Sequence, residues 1–236
     1  MTTVLLTGSS RGIGTASQAA LADAGATVIG HATTAKTADA IAADFAVPAA
    51  APALWRAALD RADGAVDVLV NNAGVFEVNP LDCDDDAWLA GWERTMQVNL
   101  TAAAQLCRLA VRHWQERGTG GRIVNVASRA AYRGDSPAHW HYAASKAGMV
   151  AMTKTIARGY AAEGILAFAV CPGFTMTGMA EDYLASRGGD KLLADIPLGR
   201  VANPAEVASV VRYLALDAPA SMTGAVVDIN GASYVR

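Results

Sequence analysis

Short apolar runs alternate along the chain with longer segments whose apolar residues recur at helical spacing. An apolar run over 4–6 reads as a buried first strand, and an Ala-rich segment after the glycines at 8, 12 and 14 reads as a helix to Ala24. Gly25 ends that helix, because glycine accepts the left-handed conformation of a C-terminal cap. Further strands are predicted over 27–30, 40–43, 66–70, 122–126, 165–170 and 226–229. Helices are predicted over 50–62, 84–116, 141–162 and 204–216, the second bent near Asn99 and the last opened by Asn203-Pro204. The connection over 32–39 leaves little room for a full helix. Strands alternating with helices of this length predict an α/β fold, a doubly wound parallel sheet covered on both faces.

Composition narrows the class. The chain has 236 residues, 53% hydrophobic and 17% charged, which suits one large domain with a sizeable core. A formal charge of -3 and the absence of a Lys/Arg run exclude a nucleic-acid surface. Cys83, Cys107 and Cys171 stand far apart with no CxxC pair, so they predict reduced thiols in a cytoplasmic protein and no zinc site. The N-terminal residues lack a basic flank and a long apolar core, so no targeting segment is expected there. No apolar stretch is long enough to predict a membrane span. Asp84-Asp85-Asp86 stands at a predicted helix start, where acids suit the macrodipole, and no metal is predicted. The least regular stretch, 172–200, follows a strand's carboxyl end and is expected to form a lid over a ligand site.

Several motifs carry chemistry. Gly8, Ser10, Arg11, Gly12, Ile13 and Gly14 lie where the first strand turns into a helix, and glycines there let backbone approach a pyrophosphate at the helix N-terminus. Without GxxxxGK[ST], the loop is not that of a P-loop NTPase. Tyr142 and Lys146 are four residues apart on a predicted helix and so share one face. A free tyrosine has a pKa of about 10, and a neighbouring ammonium is expected to lower it toward the range of a useful proton exchanger. Ser128 closes a predicted strand, where its hydroxyl can donate to a carbonyl oxygen.

Taken in order, TGxxxGxG (Thr7 to Gly14), NNAG (Asn71 to Gly74), Asn99, Ser128, YxxxK (Tyr142 to Lys146) and PGxxxT (Pro172, Gly173, Thr177) resemble the short-chain dehydrogenase/reductase family over nearly the whole chain. The resemblance implies a Rossmann-type single domain and an NAD(P)-dependent oxidoreductase acting on CH–OH or C=O groups. It implies catalytic roles for Asn99, Ser128, Tyr142 and Lys146: the Asn99 backbone holds a water in a proton relay, and Lys146 also binds the nicotinamide ribose. It places Asn72, Ala73 and Gly74 beside the adenosine ribose, Asp44 and Phe45 at the adenine, and Pro172, Gly173, Thr175 and Thr177 near the nicotinamide. The separation between Ser128 and Tyr142 is about one residue longer than the family pattern.

Selectivity is read at the second strand. NAD-selective Rossmann proteins usually end it with an acid, whereas this one ends Gly30-His31-Ala32-Thr33. Arg11, with His31 and Thr33 adding hydrogen bonds, is expected to meet a 2′-phosphate, so NADP(H) is preferred and NAD(H) stays possible. The loop and second strand resemble those of 3-oxoacyl-carrier-protein reductases, which points to a 3-oxoacyl or small-ketone substrate. An NAD-dependent sugar or alcohol dehydrogenase, and a non-catalytic nucleotide-binding regulator, remain alternatives. The substrate pocket is expected from 130–140 and 174–191. The Ala/Leu-rich helices permit a homotetramer or dimer.

Overall fold

The computed structural model describes residues 1–34, 40–176 and 193–236. Among them, seven strands form one sheet in the order β3-β2-β1-β4-β5-β6-β7, every neighbouring pair parallel. The strands are β1 (Thr3–Leu6), β2 (Thr27–Ala32), β3 (Ala40–Ala42), β4 (Val68–Asn71), β5 (Gly121–Val126), β6 (Ile165–Pro172) and β7 (Val226–Ile229). The helices are α1 (Gly12–Asp23), α2 (Ala50–Arg61), α3 (Asp85–Met96), α4 (Ala102–Arg117), α5 (Ala130–Arg133), α6 (Trp140–Tyr160) and α7 (Pro204–Arg212). This is the Rossmann-type doubly wound α/β sheet expected from the alternation of runs.

Strand periodicity sends side chains to two cores. Leu5, Leu69 and Ile123 meet Leu54 of α2, Leu106 and Trp114 of α4, and Ile156 of α6. Val4, Leu6, Val68, Val70, Val124 and Phe168 meet Leu21 of α1 and Val207 and Val211 of α7 on the other face. Strands buried on both sides cannot alternate with polar residues, which is why they read as continuous apolar runs.

Strand order reverses direction between β1 and its two neighbours, β2 and β4. At such a switch point the loops leaving adjacent strands diverge and open a crevice at the carboxyl edge. The glycine loop after β1 and Asn71–Gly74 after β4 therefore meet, though 63 residues separate Thr7 from Val70, whose carbonyl accepts the Thr7 amide at 2.9 Å.

Several elements differ from their predicted extent. The long helix is two helices joined by a π-helical turn, Gln97–Thr101, centred on Asn99. The last predicted helix likewise passes into a π turn at Tyr213–Asp217. The four-residue α5, just after Ser128, has no sequence counterpart among the predicted elements. Asp84 accepts a 2.8 Å hydrogen bond from the Ala87 amide, making it the N-cap of α3.

Candidate active site

The glycine loop is clamped from two sides. Asn72 Nδ2 donates to the carbonyls of Thr7 (3.1 Å) and Gly8 (2.9 Å), while Thr7 Oγ1 accepts from the amides of Asn72 and Ala73, each at 3.0 Å. From the other side, the Gly8 amide donates to His31 Nδ1 at 3.1 Å. This packing leaves no room for larger residues: a Cβ on Gly14 would lie 1.9 Å from the Gly8 carbonyl oxygen, and one on Gly8, where φ is +68°, 2.8 Å from Ala73 Cα. Asn72 and Ala73, expected beside a ribose, thus also build the loop itself.

The start of α1 fits a pyrophosphate. Its N-cap residue, Arg11, makes no side-chain cap and its first turn holds no acid, so no group of that turn competes with an anion for the N–H groups at that end. Ser10, Arg11 and Thr33 are exposed at the crevice edge.

Two residues expected to meet the cofactor are turned to other uses. His31 is 2% exposed, and its Nε2 donates to the Ala43 carbonyl at 2.8 Å while Nδ1 accepts from Gly8. Phe45 is buried, with one ring face stacked on His31 at 4.4 Å. Both polar atoms of His31 are engaged within the chain, so it is not free to bond a 2′-phosphate in this arrangement. Asp44 is exposed and accepts from the Ala46 amide at 3.0 Å.

At the other end of the crevice a cavity of about 430 Å³ is lined by Ile13, Asn72 and Gly74 together with Ser128, Tyr142 and Lys146. Pro172, Gly173 and Thr175 close it from β6. A Cβ on Gly173 would lie 2.8 Å from Asn230 Cα, so the turn leaving β6 is packed against the chain after β7. Thr175 Oγ1 donates to the Gly173 carbonyl at 3.2 Å. Thr177 lies outside the described residues, as does most of the predicted lid.

Tyr142 and Lys146 occupy successive turns of one face of α6, as their spacing requires. Lys146 is 4% exposed, its Nζ donates to the Val126 carbonyl at 2.9 Å, and burial pushes its pKa down to about 8. Nζ stands 5.9 Å from the centre of the Tyr142 ring. Burial raises the Tyr142 pKa, against a smaller lowering by the Ser128 hydroxyl. The expected lowering by the ammonium is therefore not the governing effect: in the protein alone, desolvation of the phenolate wins. Ser128 Oγ accepts from the Ala130 amide at 3.1 Å, which orients the hydroxyl at the start of α5.

Asn99 pins the loop that carries Gly74. Its Oδ1 accepts from the Val75 amide at 2.8 Å, and its Nδ2 donates to the Val75 carbonyl at 3.0 Å and to Ser145 Oγ at 3.3 Å. The π turn beneath it breaks the regular helical ladder, a distortion that recurs at functional sites.

Sequence reasoning missed five cavity residues, Val75, Phe76, Val126, Ala127 and Arg129. Phe76 stacks on His139 at 4.0 Å and meets Tyr142 edge-on at 4.8 Å, and Arg129 lies over the Phe174 ring at 5.0 Å. Phe76 stands two residues after the NNAG motif and Arg129 next to Ser128, so adjacency to motifs was the available signal. From the expected stretches, Asp135, Ser136, His139 and Phe174 line the cavity, whereas Trp140 is exposed and does not line it. A second cavity, about 490 Å³, opens among Thr2, Gly25, Asp67, Gly121 and Arg122, at the strands' amino ends and away from these motifs.

A family model described as enoyl-(acyl carrier protein) reductase matches residues 8–232. The chain is 36% identical over 242 residues to a 3-oxoacyl-[acyl-carrier-protein] reductase of Vibrio cholerae, covering 98% of this chain and 96% of that protein. The chain belongs to the short-chain dehydrogenase/reductase family. A Synechocystis 3-oxoacyl-[acyl-carrier-protein] reductase is also 36% identical, covering 96% of this chain and 94% of the relative. Among solved structures, a putative 2-deoxy-D-gluconate 3-dehydrogenase from Agrobacterium tumefaciens with bound NADP superposes with a TM-score of 0.85 at 28% identity, covering 98% of this chain and 95% of the other. As a member of this family, the chain is an NAD(P)-dependent oxidoreductase acting on carbonyl and hydroxyl groups.

Proposed function

We propose that the protein reduces a 3-oxoacyl compound or similar small ketone with NADPH, using Ser128, Tyr142 and Lys146 on the substrate oxygen and ribose side. The observation that carries this reading is the convergence of those three side chains on one cavity that opens, past Asn72 and Gly74, toward the clamped glycine loop. A bound nicotinamide dinucleotide supplies the hydride. Ser128 donates a hydrogen bond to the carbonyl oxygen and stabilises its developing negative charge. Tyr142 gives its phenolic proton to that oxygen as the new C–H bond forms, so the raised pKa, which keeps the phenol protonated, suits reduction. Lys146 bonds the ribose hydroxyls and offsets the charge left on the phenolate. Asn99, through the π turn and its hold on Val75, keeps Gly74 against this group and supports a water-borne proton path to Lys146.

Arg11 and Thr33 are exposed, and the end of β2 carries no acid in Gly30-His31-Ala32-Thr33, which favours a 2′-phosphate and hence NADP(H). Homo-oligomerisation through the Ala/Leu-rich helices belongs to the same reading. Among the described residues no helix is long and apolar enough to cross a membrane, and a cytoplasmic location accords with the free cysteines.

The test is a panel of 3-oxoacyl esters, simple ketones and sugar alcohols, followed by nicotinamide absorbance with NADPH and NADH. Consumption of NADPH with the 3-oxoacyl esters is expected. A strong NADH preference would overturn the cofactor assignment, and turnover confined to sugar alcohols would overturn the substrate assignment.

A further inference from the structure

His31 is the penultimate residue of β2, the strand whose carboxyl end carries the selecting acid in NAD-selective Rossmann proteins, and it is sealed from the crevice. It ties together three segments that frame the adenosine side of the site. Its backbone carbonyl accepts from the Ser9 amide at 2.9 Å and from Ser9 Oγ at 3.3 Å. Its ring takes the Gly8 amide on Nδ1, gives the Nε2 proton to the Ala43 carbonyl, and stacks on Phe45. An amide can only donate and a carbonyl only accept, so this pair of partners fixes one neutral tautomer.

The need for such a tie follows from the chain's length between strands. Only seven residues separate the end of β2 at Ala32 from the start of β3 at Ala40. A parallel crossover ordinarily takes about a dozen or more residues, usually including a helix that anchors the next strand. Here β3 is three residues long and lies at the sheet edge. The His31 ring supplies an anchor instead, joining the residues just after β3 to the glycine loop.

We propose that His31 is a positioning residue for dinucleotide binding, setting the glycine loop against the β3–Phe45 segment rather than touching the cofactor's 2′-phosphate. This rests on the reading that the chain binds a nicotinamide dinucleotide along that loop. The pyrophosphate and adenine are common to NADPH and NADH, whereas the 2′-phosphate belongs to NADPH alone. A brace therefore acts on both cofactors by the same factor, and a direct phosphate ligand acts on one.

The test measures dissociation constants for NADPH and NADH, and kcat at saturating cofactor, on wild type, His31→Phe and His31→Gln. Phenylalanine keeps the stacking ring and loses both hydrogen bonds; glutamine offers one acceptor and one donor in their place. His31→Phe is expected to weaken both cofactors equally, by about tenfold, as the loss of two hydrogen bonds implies, with kcat retained and with His31→Gln recovering most of the affinity. Loss confined to NADPH, unchanged affinity for both, or no recovery with glutamine would overturn the proposal. If His31→Phe fails to fold, His31→Asn, too short to reach both Gly8 and Ala43, decides in its place: an equal loss for both cofactors supports the brace, and unchanged affinity or a loss confined to NADPH refutes it. Wild type binding neither cofactor would refute the parent reading instead.

Discussion

Lys146 holds its charge in a place that resists it. Buried to 4% exposure and bonded to one backbone carbonyl, it has a pKa pushed down to about 8, so its ammonium form is present below that value and lost as pH rises through it. If this ammonium offsets charge on Tyr142 and holds the ribose, kcat/KM for ketone reduction should be level near neutrality and fall as pH passes about 8. A profile flat well into the alkaline range would show that the charge of Lys146 is not used. The residues that could be read directly from sequence are those whose chemistry is explicit in their type and spacing: Tyr142, Lys146, Ser128 and the three glycines of the loop. His31 and Phe45 could not be read this way. Their contacts with each other, and those of His31 with Gly8 and Ala43, join chain segments whose approach no local pattern encodes.

Elements announced themselves best where their ends carry specific side chains. Asn203 opens α7 with a full capping box: its side chain accepts from the Ala205 amide at 2.9 Å, while Glu206 accepts from the Asn203 amide at 2.7 Å, with Pro204 between them. Asn203→Ala should cost about 1 kcal/mol, lowering Tm by about 2–4 °C for a chain of this size. Thermal unfolding followed by circular dichroism checks this, and an unchanged Tm would mean that the cap is replaced by solvent. The bend near Asn99 was legible because asparagine is a poor residue inside a helix. The π geometry was not, since it depends on the Val75 backbone reaching the Asn99 side chain from another segment. Short α5 escaped notice because four residues are too few to establish a helical period.

Across the whole molecule, the sheet order decides where chemistry can occur. Alternating runs identified a parallel α/β sheet, but apolar content alone does not say which strands are neighbours. The reversal of order at β1 brings the glycine loop to Asn72, and β5, α6 and the end of β6 then set Ser128, Tyr142, Lys146 and Gly173 around one cavity. Motifs scattered from residue 7 to residue 175 become a single site only through that order. The most direct measurement of the central claim is single-turnover reduction of a 3-oxoacyl ester by Tyr142→Phe, with NADPH binding measured on the same preparation. Loss of the phenolic proton should slow the chemical step by about 10²–10⁴-fold while NADPH still binds as in wild type. Reduction at the wild-type rate by a variant that binds NADPH would contradict the assignment of Tyr142 as the proton donor.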